Sequence, residues 1–215
     1  MIVGCPTYAG KLPNKILPDF QSRLRGNGAL AVAVVTYGNR SFDNALAELC
    51  AVLEQGGFHP VAGGAFVCRH AMTDRLAGDR PNADDLSEMA TFAQAAAERI
   101  GLLRDTPAPL TVPGNASAPY YVPKGADGQP VKFLKAKPKT HMDKCTNCGR
   151  CALVCPMGSI DPEQVDQVPG VCIKCHACIR ICPLDAKYFD DPALLSHKQM
   201  LENTFLTPQE NRIFL

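Results

Sequence analysis

The sequence predicts a chain of mixed class in two parts. An α/β segment built on a parallel sheet occupies residues 1–104, and a small α+β domain occupies residues 141–187. Three observations carry this. Short apolar runs alternate with stretches of helical period in the first hundred residues; seven prolines and three glycines punctuate residues 105–140; and two cysteine runs of identical spacing follow.

The apolar runs Ile2 to Cys5, Ala29 to Tyr37 and Pro60 to Val67 are continuous rather than alternating, as expected of strands buried on both faces. Between and after them, Asn14 to Arg25, Ser41 to Gln55 and the Ala-rich stretch Asp84 to Leu103 have helical periodicity. Ser41 is the expected N-cap of the second helix, and Gly56-Gly57 its stop. Strand and helix in strict alternation imply parallel strands joined by right-handed crossovers. Residues 105–140 read as a linker. The tail, residues 188–215, predicts a helix over Pro192 to Glu202 and an apolar strap at Ile213-Phe214-Leu215 that docks rather than trails.

Composition narrows the function classes. A net charge of +1 over 215 residues gives no footprint for nucleic acid, and no run of about 18 apolar residues is present to span a bilayer. A cytoplasmic protein is expected. Eleven cysteines leave Cys5, Cys50 and Cys68 outside the two runs, and their apolar flanks predict buried structural thiols.

The runs are Cys145-x2-Cys148-x2-Cys151-x3-Cys155-Pro156 and Cys172-x2-Cys175-x2-Cys178-x3-Cys182-Pro183. Two residues between ligands let the backbone curl around a cubic cluster, so three thiolates can cap three of its irons. The fourth cysteine of each run ligates the other cluster. One [4Fe-4S] site is therefore expected at Cys145, Cys148, Cys151 and Cys182, and the other at Cys172, Cys175, Cys178 and Cys155. Paired zinc sites also use C-x2-C elements but leave the third step and the Cys-Pro unexplained. A disulfide framework fits less well, since no signal peptide opens the sequence.

Ligands of open α/β sheets sit at the carboxyl ends of strands. The loops there, Pro6-Thr7-Tyr8-Ala9-Gly10 and Gly38-Asn39-Arg40-Ser41-Phe42, combine small residues with an aromatic that either stacks on a flat ring or simply packs. With Tyr37-Gly38-Asn39-Arg40-x-Phe42-Asp43 and Ala65-Phe66-Val67 ahead of His70, the segment resembles the flavodoxin-like half of the flavodoxin–ferredoxin fusion proteins of anaerobic bacteria. The resemblance implies a partial flavodoxin-like sheet, equivalent to strands 3 to 5 of that fold, followed by a bacterial-type dicluster ferredoxin. It also implies an FMN ring held by Thr7, Tyr8, Ala9 and Gly10 on one side and Gly38, Asn39, Arg40 and Phe42 on the other. Met1 falls where the family enters its third strand. The first two strands and the Ser/Thr/Gly-rich phosphate loop are thus expected to be missing, so that either the sequence is a truncated version of a longer product or the domain does not bind FMN.

Electron transfer through two clusters, coupled to FMN in the complete architecture, is the function these expectations converge on. The alternative is a two-cluster ferredoxin whose sheet segment is a flavin-free docking scaffold. With no general acid/base pair legible, an electron carrier with a redox partner protein is expected rather than an enzyme with its own substrate. Lys132, Lys135, Lys137, Lys139 and Lys144 either dock an acidic partner or form a solvated linker face.

Overall fold

The computed structural model describes residues 1–215, and the chain divides into two compact units: residues 1–70, 74–121 and 205–215, and residues 71–73 with 122–204. In chain order the first unit contains β1 (Ile2–Pro6), α1 (Leu17–Arg23), β2 (Leu30–Tyr37), α2 (Ala45–Gln55), β3 (His59–Val67) and α3 (Ala83–Leu102). The second contains β4 (Lys139–Thr140), α4 (Arg150–Leu153), α5 (Ala177–Arg180), β5 (Lys187–Tyr188) and α6 (Pro192–Thr204). The last strand, β6 (Arg212–Phe214), belongs to the first unit.

The sheet order is β1-β2-β3-β6. β1 and β2 pair in parallel with Val3 opposite Ala33, and β2 and β3 in parallel with Val35 opposite Ala65. β6 closes on β3 antiparallel, Ile213 opposite Gly64. Alternation along β2 separates two cores. Ala33 and Val35 pack with Leu46, Leu49 and Leu53 of α2, whereas Val32 packs with Phe92 and Ala96 of α3. Helices cover both faces at β2 and β3, which is why those strands read as unbroken apolar runs; β1, at the sheet edge, buries Val3 and Cys5 and leaves Ile2 74% exposed, so it is not buried on both faces as expected.

The helix ends differ from the sequence expectation for local reasons. α1 is confined to Leu17–Arg23 because Pro18 sits in its first turn and Leu24 turns extended at ψ 121°. Ser41 does not cap α2: its Oγ accepts the Asp43 N–H at 2.9 Å, and the helix starts after Asn44. α3 begins with a reciprocal capping box between Asn82 and Asp85.

Residues 105–140 are shared between the units. Leu110 and Val112 pack against the α2 core, Tyr120 donates its hydroxyl hydrogen to the Leu12 carbonyl at 2.7 Å, and the chain joins the second unit from Val122. A Pro-rich stretch lacks regular hydrogen bonding but still anchors through single side chains. No helix is long and apolar enough to cross a membrane.

Candidate iron–sulfur centres

The two cysteine runs repeat as backbone, not only as sequence. Left-handed residues recur at matching places: Asn147 (φ 53°) and Lys174 (φ 56°), Gly149 (φ 73°) and His176 (φ 59°), Gly158 (φ 55°) and Asp185 (φ 49°). Glycine adopts this region freely and lysine or histidine only under constraint. The loop geometry therefore imposes the conformation. Gly149 and His176 then open the short helices α4 and α5, which carry Cys151 and Cys178.

The curled loops point thiols into two hollows of similar size, about 370 and 360 Å³ including their open mouths. The first is lined by Cys145, Cys148 and Cys151 of one run and Cys182 of the other; the second by Cys172, Cys175 and Cys178 with Cys155. In each, the thiols ring a space instead of converging, and no three His, Cys, Asp or Glu side chains are grouped to hold a single ion. This arrangement fits a group several atoms wide.

Backbone N–H groups are aimed at sulfur in matched pairs. Asn147 and Lys174 each donate to the Sγ two residues before, Cys145 and Cys172, at 3.4 Å. Ser159 donates to Cys155 at 3.3 Å and Ala186 to Cys182 at 3.2 Å. Such donors favour thiolate over thiol. At Cys182 burial works the other way, yet the N–H groups of Leu184, Ala186 and Lys187 outweigh it and hold the thiol below its ordinary value. Burial pushes Cys178 up to about 12, against the opposing pull of the Lys187 charge, and raises Cys151 and Cys175 as well. Thiols that resist ionisation in a dry wall are stabilised as thiolates by binding metal.

The strand-end loops behave differently. They meet each other: the Asn44 N–H donates to the Gly10 carbonyl at 2.9 Å, and a Cβ on Gly10 would lie 2.4 Å from an Asp43 carboxylate oxygen. Asn39 is 1% exposed. Its amide donates to the carbonyls of Phe205 (2.6 Å) and Thr207 (3.0 Å) and accepts from the Gln209 N–H at 3.0 Å. Arg40 pairs with Asp43 and lies 4.1 Å over the Tyr121 ring. Phe42 packs edge-on against Tyr37 at 5.5 Å. A side chain at Gly38 would collide with His70. Ala9 accepts the Tyr121 N–H at 2.8 Å, and the Thr7 N–H donates to Thr36 at 2.8 Å. Tyr8 bridges to Lys11. Burial holds Cys5 and Cys50 up at about 12, the state of inert core thiols.

Of the lysine series, Lys139 pairs with Asp190 at 2.6 Å and Lys137 donates to the carbonyls of Val168 (2.6 Å) and Pro169 (3.2 Å); Lys132, Lys135 and Lys144 are exposed. Two residues that the motif does not announce also line the first hollow, Thr140 and Lys187. Comparing the two runs position by position flags the second. Lys187 stands five residues after Cys182, where the other run has Ile160 after Cys155.

Residues 137–183 match the 4Fe-4S dicluster domain family. Pyruvate synthase subunit PorD of Methanothermobacter marburgensis is 41% identical over 51 residues, 23% of this chain and 60% of PorD. UacF of Escherichia coli (strain K12), named as an oxidoreductase, is 39% identical over 59 residues, 24% of this chain and 9% of UacF. The chain thus spans less than two thirds of either relative. Within it, the second unit carries a 4Fe-4S dicluster ferredoxin domain.

Proposed function

We propose that the chain transfers single electrons through two [4Fe-4S] clusters, one held by Cys145, Cys148, Cys151 and Cys182 and the other by Cys155, Cys172, Cys175 and Cys178. The observation that carries this is the lining of the two hollows, each by three cysteines of one run and the fourth of the other. When bound, such clusters supply reversible one-electron chemistry. The chain's residues do the rest. Eight thiolates hold and orient the metal, N–H donors at four of them offset thiolate charge, and Val165, Ile160 and Phe189 form walls that exclude water.

For the first unit, a flavodoxin-like sheet serving as a flavin-free docking scaffold is the reading we favour over FMN coupling. Asn39, Arg40 and Phe42 are turned to protein partners, so those three do not fit a flavin ring as they stand. PorD is by name a subunit of a larger enzyme, which supports a redox partner protein for this chain too.

The test is metal, acid-labile sulfide and FMN content of anaerobically purified protein, with Cys155→Ala alongside. About eight irons and no flavin are expected. In Cys155→Ala the iron content halves, and alkylation read by mass spectrometry marks Cys172, Cys175 and Cys178 while Cys145, Cys148, Cys151 and Cys182 stay protected. Alkylation of Cys145, Cys148 and Cys151 instead would overturn the crossed assignment, and stoichiometric FMN would overturn the scaffold reading.

A further inference from the structure

The two hollows share a backbone but not a lining. Lys187 is 3% exposed and donates its ammonium to the carbonyl of Val165, itself a wall residue of the first hollow. Its counterpart in the second hollow is the aliphatic Ile160. Opposite Lys187 across the β4–β5 ladder stands Thr140, whose buried hydroxyl has no hydrogen-bond partner in the protein and also faces the first hollow. The first hollow also carries Arg150, where the other run has Ala177; the second is walled by Ile160, Val168, Ile173 and Phe189, with the buried His176 beside them.

We propose that Lys187 and Thr140 make the Cys145 site the one that takes the first electron, so that an electron entering at the Cys172 site runs on to it. The proposal rests on the two-cluster reading above. Reduction adds one negative charge to a site and needs no bond to break and no proton; an external one-electron donor, dithionite or a redox protein, supplies the electron. A buried ammonium stabilises that added charge strongly because little water screens it; the field of Lys187 also reaches Cys178 of the second site, but the side chain lines only the first hollow. A hydroxyl free to donate to sulfur acts in the same direction, as does the exposure of Cys148 at the first site. The wall of the second hollow, apolar except for the His176 ring that is tilted against Phe189 at 4.8 Å, does the reverse. Lys174 opposes the effect, since its ammonium donates to the Cys172 carbonyl at 2.9 Å. It is only half-buried and does not line the hollow, so solvent weakens its field and Lys187 prevails.

The experiment poises native protein at one electron per chain and reads the hyperfine-shifted cysteine Cβ protons by NMR, assigned through their contacts to Thr140 and Val165 or to Ile173 and Phe189. A potentiometric titration followed by EPR accompanies it. The first electron is expected on the Cys145 set. Lys187→Met should shift the distribution between the sites about tenfold toward the Cys172 set, equal to about 59 mV for a one-electron couple. Thr140→Val should shift it less, in the same direction, and Lys187→Arg should preserve the native order. An electron on the Cys172 set in native protein overturns the proposal, as does an unchanged distribution in Lys187→Met with full iron content. Should Lys187→Met lose metal, native protein and Thr140→Val still decide the order. Half the iron, or a single set of shifted thiolate protons, would overturn the two-cluster reading instead.

Discussion

The cysteine-bearing unit and the sheet unit hold their side chains in opposite ways. In the sheet unit, sixteen buried residues form one continuous core around α2, and at the strand ends Asn39 and Arg40 are taken up by neighbouring segments, while the buried Thr7 hydroxyl has no partner. In the cysteine unit the apolar clusters hold four and three buried residues, and two of those seven are the thiols Cys151 and Cys178. Its strands are two residues long and its two cysteine-bearing helices four. A unit with so little regular structure and so small a core needs something else at its centre. The difference teaches that a bound group is announced by donors arranged around a space, and not by small and aromatic residues at strand ends alone.

Removing the metal gives the largest expected effect. Treatment with a chelator and reductant should leave residues 1–70, 74–121 and 205–215 as resistant to protease as before while cleavage appears throughout residues 122–204, because ligand binding there is also folding free energy. Mapping the fragments by mass spectrometry checks this. An apoprotein whose second unit remained equally resistant would break the comparison, since its core would then suffice without metal.

Within the sheet unit the largest single-residue effect should come from a charge. Glu48 and Lys11 are paired at 2.9 Å, each side chain 8% exposed. Glu48 also accepts the Leu12 N–H at 2.7 Å, and Lys11 donates to the carbonyls of Ala116 and Ala118 at 2.8 Å. The pair thereby fastens the loop after β1 to α2 and to the stretch before Tyr120. Glu48→Ala strands the ammonium and should cost about 3–5 kcal/mol in urea unfolding, whereas the double change Lys11→Met with Glu48→Leu should cost far less.

How far each region could be read in advance follows from what fixes it. The strands β1 to β3, the helix order and the two cysteine runs of a 4Fe-4S dicluster domain are legible because period and spacing are local properties of the chain. β6 beside β3 and the division of residues 105–140 depend on contacts between segments far apart in sequence, which no local pattern encodes. Glu48 could have been noticed, since it falls on the apolar stripe of α2 with Ala45, Leu49 and Val52, where a carboxylate demands a buried partner. Lys187 could have been noticed by the same logic, as a charged position beside a hollow where the other cysteine run has an aliphatic residue, Ile160. Asn39 and Arg40 were legible as loop residues, but their partners at Phe205, Thr207 and Tyr121 were not.

A smaller effect is expected from pH. Hydrogen bonds from Arg80, then from the Asn82 N–H and the Asn211 amide, hold the Asp85 carboxyl down at about 2 from its ordinary 3.8, although burial opposes them. A carboxyl lowered by folding contributes stability that is complete above its unfolded value and is lost as pH falls from about 4 toward 2, here roughly 2 kcal/mol. Tyrosine fluorescence can follow the sheet unit, because Tyr8, Tyr37, Tyr120 and Tyr121 lie in it and only Tyr188 does not. Asp85→Asn should lower the urea midpoint near neutral pH and flatten its fall through that window.

The smallest effect bears most directly on the strand-end loops. Tyr121 covers Arg40 from one side at 4.1 Å while Asp43 pairs with it, and a cation over an aromatic face at a partly exposed site is worth about 0.5–1 kcal/mol. Tyr121→Leu should therefore move the urea midpoint only slightly. Its second readout is FMN fluorescence on titration with protein. Where the loops are structural, neither the native chain nor Tyr121→Leu quenches the flavin, because Asn39 still spends its amide on the 205–209 segment and Gly10 still abuts Asp43. Stoichiometric quenching by the native chain, strengthened in Tyr121→Leu, would mean that Tyr121 is a cover over a ring site, and the contrast between the two units would then be one of occupancy and not of design.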